Sequence, residues 1–143
     1  CRDAGRSHLM NLYLDASASV KLFLEETESA AVKASLRDAV LSGGKIFVST
    51  LTVLETRRAL LRNQIATKEA ARFFQSTDVV AITPLILEQA GTLLPRTLKT
   101  LDAIHLATAL VLRQAAEIEL MAFDRMLLEA GVEAGVRVTS PGL

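Results

Sequence analysis

Short, continuous apolar runs alternate with longer segments of helical spacing along this chain. The runs are apolar at consecutive positions rather than at every second one, as in strands that are buried on both faces. Such strands form parallel sheets with helices on each side. The pattern therefore predicts an α/β fold, a three-layer α/β/α sandwich around a mainly parallel sheet of four to five strands. The predicted strands span residues 11–15, 46–50, 79–83 and 119–123, with a short fifth strand at 136–139.

A binding site is expected at the carboxyl ends of these strands. Right-handed crossovers bring those ends to one edge of a parallel sheet, and ligands bind there, where the strand order reverses. Asp15 ends the first predicted strand, and Asp124 directly follows the fourth. Each acid would also serve as the N-cap of the next helix. The topology predicts that these two distant carboxylates meet, with Ser17 close enough to Asp15 to donate a hydrogen bond.

A third acid, Glu55, lies one turn into a helix predicted at residues 51–63. Helical geometry places Arg58 and Arg62 on the same stripe as this carboxylate. A charged stripe of this kind is usually a solvated face. The alternative is that Glu55 binds a metal ion and the two arginines contact phosphate groups.

A fourth acid, Asp102, lies in the first turn of a predicted helix, residues 101–116, that is otherwise almost wholly apolar. An acid at this position offsets the helix dipole. However, Asp102, His105 and Arg113 share one stripe, and a polar stripe on a buried helix needs partners or a cleft. His105 is therefore a candidate general base or, more commonly, a hydrogen-bonded residue that supports the site.

The four acids Asp15, Glu55, Asp102 and Asp124 are thus expected around one cleft. Carboxylates gathered in this way repel one another unless divalent cations neutralise them. Carboxylate oxygens are ligands of Mg²⁺, and a metal held in this way promotes hydrolysis of phosphodiesters. The acids therefore predict a metal site with nuclease chemistry.

Length and composition limit the number of domains and the classes of protein to which the chain can belong. The 143 residues, half of them apolar, suit one domain with a sizeable core, and a mean hydropathy of +0.33 excludes a disordered chain. Residues 1–9 resemble an expression-vector remnant, so we expect the domain to span residues 10–143. The formal net charge is zero, which disfavours a strongly basic, non-specific nucleic-acid binder.

Cysteine content and hydropathy suggest the cellular location. The only cysteine is Cys1, so the rest of the chain has no cysteine for a disulfide, which fits a reducing compartment. The longest apolar stretch, residues 103–112, is shorter than the ~18 residues of a membrane span. Residues 11–15 are too short for the core of a signal peptide and lack a basic leader. We therefore expect a cytoplasmic protein.

Two other folds place acids at strand ends, and the sequence disfavours both. A receiver domain needs a phospho-accepting Asp at the end of strand three and a Lys after strand five. Here the third predicted strand ends in Thr83, and no Lys follows Lys99. A phosphatase of the haloacid dehalogenase type needs Asp-x-Asp after strand one, whereas Ser17 stands two residues after Asp15.

Four segments of the chain resemble the PIN-domain family, and specifically the toxin ribonucleases of VapBC-type toxin–antitoxin pairs. The resemblance extends from about Leu12 to Val138, and the order and spacing of the four segments carry it. TLDAIHLATAL, with Asp102, is the strongest match. The other three segments are YLDASASVKLFLEE, STLTVLETRRAL and AFDRMLLEAGVEAGV.

The resemblance implies a Mg²⁺- or Mn²⁺-dependent endoribonuclease of bacteria or archaea that acts as a toxin. It implies a homodimer and a small antitoxin that inserts a basic side chain among the acids. The acids carried over as catalytic and metal-binding residues are Asp15, Glu55, Asp102 and Asp124.

One departure from the family pattern leaves an alternative open. Many members have Thr or Ser two residues before the fourth acid, where this chain has Ala122. A missing hydroxyl would weaken the support of a metal. It favours a degenerate PIN-like scaffold that only binds RNA or a partner protein, whereas the four retained acids favour a nuclease. In a nuclease, Arg58 and Arg62 are candidates for RNA-phosphate contacts, and Ser17 and His105 are candidates for supporting the acids.

Overall fold

Five parallel strands form one sheet in residues 9–143, the part of the chain that this computed structural model describes. The strands are β1 (Leu12–Leu14), β2 (Ile46–Ser49), β3 (Asp78–Val80), β4 (Glu119–Met121) and β5 (Arg137–Thr139). All neighbouring strands pair in parallel, so the predicted three-layer α/β/α fold with a mainly parallel sheet is confirmed. The predicted vector remnant, residues 1–9, lies outside the described residues except for Leu9, and Cys1 lies outside them too.

The helices of the described residues connect these strands and cover both faces of the sheet. They are α1 (Ala16–Ser19), α2 (Ser29–Leu41), α3 (Thr50–Arg62), α4 (Lys68–Gln75), α5 (Pro84–Ala90), α6 (Thr100–Arg113) and α7 (Arg125–Glu133). None of these helices has both the length and the apolar character that crossing a bilayer requires.

The first helix is shorter than the segment predicted at residues 16–26. α1 ends at Ser19 and continues only as one 3₁₀ turn. Beyond that turn, the Ser29 hydroxyl donates to the Leu24 carbonyl at 2.7 Å and accepts from the Glu26 N–H at 3.0 Å. These bonds satisfy the backbone outside a helix, and the spacing of apolar residues does not reveal them.

The last helix is longer than the segment predicted at residues 125–130. It continues through Gly131, where an added Cβ would lie only 2.9 Å from Cγ1 of Val138. The missing side chain lets α7 approach β5 closely, so this glycine serves packing rather than helix termination. Gly135, with a φ of +84°, follows the end of the helix.

The two faces of β1 pack into separate cores. Leu12 and Leu14 contribute to the core shared with α2, α3 and α4, whereas Tyr13 contributes to the core shared with α6 and α7. None of the three is more than 1% exposed. Burying each such side chain contributes about 1.5–3 kcal/mol, which explains why the central strand is apolar on both faces.

The strand order β3-β2-β1-β4-β5 reverses between β1 and β4. The chain adds β2 and β3 on one side of β1 and then crosses over to add β4 and β5 on the other. At the carboxyl edge, the Asp15 N–H donates to the Met121 carbonyl at 3.3 Å and links the ends of β1 and β4. α1 and α7 begin just after these ends, so the topology brings Asp15 and Asp124 to the switch point.

Candidate active site

Asp15 is the most deeply buried acid at this edge of the sheet. It is 3% exposed and caps α1, since its Oδ1 accepts from the Ala18 N–H at 3.0 Å. The pKa of Asp15 is raised to about 6, mainly by burial and to a smaller extent by the charge of Asp102, although His105, Ser17 and the Ala18 N–H oppose the shift. A buried carboxylate with another acid beside it is a favourable place for a cation.

Ser17 connects Asp15 to the segment that carries the fourth acid. Its hydroxyl lies 2.7 Å from Oδ1 and 2.9 Å from Oδ2 of Asp15, and it accepts from the Phe123 N–H at 2.8 Å. The next residue, Asp124, caps α7 by accepting from the Leu127 N–H at 3.0 Å. The hydroxyl therefore holds the segments after β1 and β4 in register with each other.

Glu55 is anchored by a buried histidine. Its Oε1 lies 2.7 Å from Nε2 of His105, which joins α3 to α6. His105 is 1% exposed, and its Nδ1 lies 2.7 Å from the hydroxyl of Tyr13 on β1. Burial raises the pKa of Tyr13 above its usual range, so this phenol keeps its proton.

Asp102 lies half-buried in the first turn of α6, and the charges of the other acids affect its pKa. Its pKa is raised first by burial, then by Asp124 and by Glu55, while His105 and Lys99 act in the opposite direction. Together with the effect of Asp102 on the pKa of Asp15, these interactions place the four predicted acids within one electrostatic neighbourhood.

The donor set fits a hydrated, hard divalent cation. Within residues 9–143, no three acidic or histidine side chains already stand in an arrangement that would coordinate one ion directly. Mg²⁺, however, usually keeps several waters and takes one or two carboxylates, so an open group of carboxylates suits it. All the acids offer oxygen donors, which also suit Mn²⁺. A cation here would relieve the repulsion that raises the pKa of Asp15 and Asp102.

A groove of about 530 Å³ opens beside these acids, and Ser17 and Glu55 form part of its lining. We call it the Glu55 groove. Its walls also carry two basic side chains, Arg58 and Arg62, and the apolar side chains of Val20, Leu51, Leu54 and Leu101. Both arginines are exposed. The structure therefore places the two predicted phosphate contacts on the wall of a groove that leads to Glu55.

Ala122, the position that departs from the family pattern, is fully buried. Its carbonyl accepts from the Ser140 hydroxyl at 2.6 Å, and its N–H donates to the Thr139 carbonyl at 3.2 Å. Ala122 itself brings no hydroxyl to this segment, but the Ser17 hydroxyl reaches the neighbouring Phe123 N–H.

Sequence reasoning missed the contact between Tyr13 and His105. Tyr13 lies within the first predicted strand, at residues 11–15, and was not among the candidate site residues. A signal was present, because a hydroxyl-bearing side chain interrupts an aliphatic strand two residues before Asp15. A buried phenol usually finds a hydrogen-bond partner, so the residue could have been included among the candidates.

Comparison with known families matches residues 12–133 to the PIN domain. Among curated relatives, ribonuclease VapC46 of Mycobacterium tuberculosis (strain ATCC 25618 / H37Rv) is 37% identical over 132 residues, which cover 91% of this chain and 97% of the relative. Ribonuclease VapC47 of Mycobacterium tuberculosis (strain CDC 1551 / Oshkosh) is 35% identical over 136 residues, which cover 92% of this chain and 97% of the relative.

A solved structure shares the fold. It is that of Mycobacterium tuberculosis VapC20, described as a toxin that cleaves the sarcin-ricin loop. The TM-score is 0.66 at 19% identity, over 85% of this chain and 95% of the other. At this identity the likeness supports the architecture alone.

Proposed function

The chain belongs to the PIN-domain family, and from this premise we propose that it is an endoribonuclease that acts as the toxin of a toxin–antitoxin pair. The relatives named as ribonucleases support the activity, because the similarity extends over nearly their whole length. The observation that carries the proposal is the convergence of acids from four separate segments on one sheet edge, where burial and mutual repulsion raise the pKa of Asp15 and Asp102.

We propose that cleavage depends on Mg²⁺ or Mn²⁺. Asp15, Asp102 and Asp124 would hold the cation, together with Glu55. A bound cation would acidify a water molecule and offset the negative charge that develops on the phosphate. This part of the proposal rests on the oxygen-only donor set and on its unfavourable charge in the absence of a cation.

Side chains of the protein would orient the water molecule, the RNA phosphates and the Asp15 carboxylate for the reaction. Glu55 has one oxygen, Oε1, held by His105, while its other oxygen accepts no hydrogen bond within residues 9–143. That oxygen is available to orient a water molecule or accept its proton. Arg58 and Arg62, exposed on the wall of the Glu55 groove, would hold the phosphates of the RNA strand. Ser17 would keep the Asp15 carboxylate oriented.

The Glu55 groove also suits an inhibitory partner. Leu54 and Leu101 are 56% and 46% exposed beside the acids. We propose that a small antitoxin covers this apolar surface and places a basic side chain among the carboxylates. We further propose that the toxin is a homodimer of the bacterial cytoplasm, where its RNA substrate is found.

An RNA-cleavage assay tests the proposed function. Purified protein is incubated with total RNA in the presence of Mn²⁺ or of EDTA, and the cleaved ends are sequenced. D15N and D102N are expected to reduce cleavage at least about 100-fold, the order of magnitude for loss of one charge-stabilising group. D38N, which changes an exposed acid on α2, provides the matched control and should cleave normally.

The alternative is a degenerate PIN-like scaffold that binds RNA or a partner protein without cleaving it. Ala122 favours this alternative, because it lacks the hydroxyl found in many relatives. Retention of RNA by the wild-type protein, with no new ends above the EDTA background, would establish the scaffold instead of the nuclease.

A further inference from the structure

Three side chains from three different elements form one continuous hydrogen-bonded chain behind the acids. The Tyr13 hydroxyl lies 2.7 Å from Nδ1 of His105, and Nε2 of His105 lies 2.7 Å from Oε1 of Glu55. Tyr13 and His105 are 0% and 1% exposed. This series of hydrogen bonds therefore begins in the core and ends at the candidate active site.

The chemistry of the three groups determines where the proton lies. A carboxylate oxygen can only accept, so the contact with Glu55 requires a proton on Nε2 of His105. In a neutral imidazole, Nδ1 then carries a lone pair and accepts from the Tyr13 hydroxyl. In a doubly protonated ring both nitrogens donate, so in either state the N–H at Nε2 points at Glu55 and Nδ1 bonds to the Tyr13 hydroxyl.

Three side-chain hydroxyls lie near the Tyr13 phenol, those of Thr52, Ser49 and Thr108. Two of them donate elsewhere: Thr52 to the Leu14 carbonyl at 2.9 Å, and Thr108 to the Ile104 carbonyl at 2.7 Å. The Ser49 hydroxyl accepts from the Leu51 N–H at 2.9 Å. The hydrogen bond of the phenol to His105, at 2.7 Å, is the one that leads toward the acids.

The same series of hydrogen bonds fixes the position of Glu55 relative to Asp102. His105 lies one turn after Asp102 on α6, so the two side chains share a face of the helix. Glu55 is partly exposed, and a free glutamate side chain samples many rotamers. The contact with His105 holds Glu55 on the face of α6 that carries Asp102.

We propose that Tyr13 and His105 are positioning residues that hold the Glu55 carboxylate next to Asp102 for cation binding and catalysis. The inference rests on the proposed metal-dependent nuclease function. Neither residue touches the substrate; Tyr13 sets the tautomer and orientation of His105, and His105 orients Glu55. Partners of this kind typically change metal affinity or activity by about 10–100-fold when removed.

The first test reads the proton position without using activity. The chain has only two histidines, His8 and His105, so ¹⁵N spectra of the imidazoles, assigned with H8Q, report on His105 in the metal-free protein. At pH 8 we expect His105 to carry its proton on Nε2. In Y13F we expect a mixture of the two neutral tautomers, because the hydroxyl that favours one of them is gone. A neutral His105 ring with its proton on Nδ1 in the wild-type protein, or an unchanged His105 signal in Y13F, would overturn the proposal.

The second test separates positioning from stability. H105L, which removes both hydrogen bonds, should weaken Mn²⁺ binding in calorimetry about 10–100-fold and lower kcat with little change in KM for RNA. H105Q, whose amide can still donate to Glu55, should recover most of the Mn²⁺ affinity, and Y13F should fall between H105L and the wild type. The matched control is S29A, which removes a buried hydroxyl outside the site and should lower stability alone.

Each outcome has a distinct meaning. Wild-type affinity for Mn²⁺ in H105L or, if H105L does not fold, in Y13F would overturn the positioning role. A wild-type protein that neither binds Mn²⁺ nor cleaves RNA would overturn the proposed function instead, and the imidazole spectra would still decide whether the chain from Tyr13 to Glu55 exists.

Discussion

The hydroxyl of Ser17 lies within hydrogen-bond distance of both oxygens of the Asp15 carboxylate, at 2.7 Å and 2.9 Å. The same oxygen accepts from the Phe123 N–H, one residue before the fourth acid. One small side chain thus links the deepest carboxylate of the site to the end of β4, the strand that completes the site.

Ser17→Ala is expected to destabilise the protein and to impair RNA cleavage. The substitution removes a donor from Asp15 and leaves the Phe123 N–H without its partner, which should lower the free energy of unfolding by about 1–3 kcal/mol. Urea unfolding measures this change. Ser19→Ala removes another buried hydroxyl of α1 that bonds to Thr56 instead; it should lower stability while leaving cleavage largely intact. Equal cleavage by S17A and S19A would contradict the role of Ser17.

Asp15→Asn is expected to stabilise the metal-free protein at neutral pH. The pKa of Asp15 is about 6 in the folded state, against an ordinary value of 3.8, so the folded protein binds a proton that the unfolded chain has released between about pH 4 and pH 6. Stability therefore falls as the pH rises through this window, by about 3 kcal/mol when complete. Asparagine also caps helices well and carries no charge.

The measurement for this prediction is urea unfolding of both proteins in EDTA at pH 4 and pH 7.5. D15N should resemble the wild type at pH 4 and exceed its free energy of unfolding by about 2–3 kcal/mol at pH 7.5. A difference between the two proteins that does not vary with pH would show that Asp15 ionises normally in the folded state.

Mn²⁺ is expected to raise the melting temperature of the wild-type protein. A cation that binds only the folded state contributes about 2.7 kcal/mol at a concentration of 100 Kd, which corresponds to several degrees for a chain of this size. D102N should lose most of this increase, and D38N, on the surface of α2, should keep it. An equal rise in D102N would place the bound ion elsewhere.

Arg58→Gln and Arg62→Gln are expected to weaken RNA binding without changing Mn²⁺ affinity. Both side chains line the Glu55 groove. Each lost phosphate contact should make the slope of log K against log salt shallower by about 0.7 for a single strand. Binding is measured in the D102N background to prevent cleavage, with R37Q on exposed α2 as the control. Slopes that match the control would remove these arginines from the RNA-binding surface.

The sequence predicted the fold well where burial dictates the residue type. β1 and β4 lie in the middle of the sheet, and their apolar runs predicted them within two residues at each end. β3 was predicted at residues 79–83 but occupies Asp78–Val80, because it is an edge strand and two of its three residues are exposed. An exposed strand carries little of the continuous apolar pattern on which the prediction depended.

The sequence predicted which residues lie at the switch point better than it predicted how they bond. Strand order explains why Asp15 and Asp124 both lie at the carboxyl edge of the sheet, since both follow strands at the switch point. The contact of Tyr13 with His105 depends on the distance between β1 and α6, and that distance is set by packing of the whole layer. No local pattern encodes such a distance.

The reversal of strand order between β1 and β4 has a consequence during synthesis on the ribosome. Asp15 and Glu55 are synthesised first, whereas β4, which pairs with β1 on its other side, follows much later in the sequence, as do Asp102 and Asp124. A half-made polypeptide therefore lacks two of the four acids. The proposed site is therefore completed only once Asp124 has been synthesised.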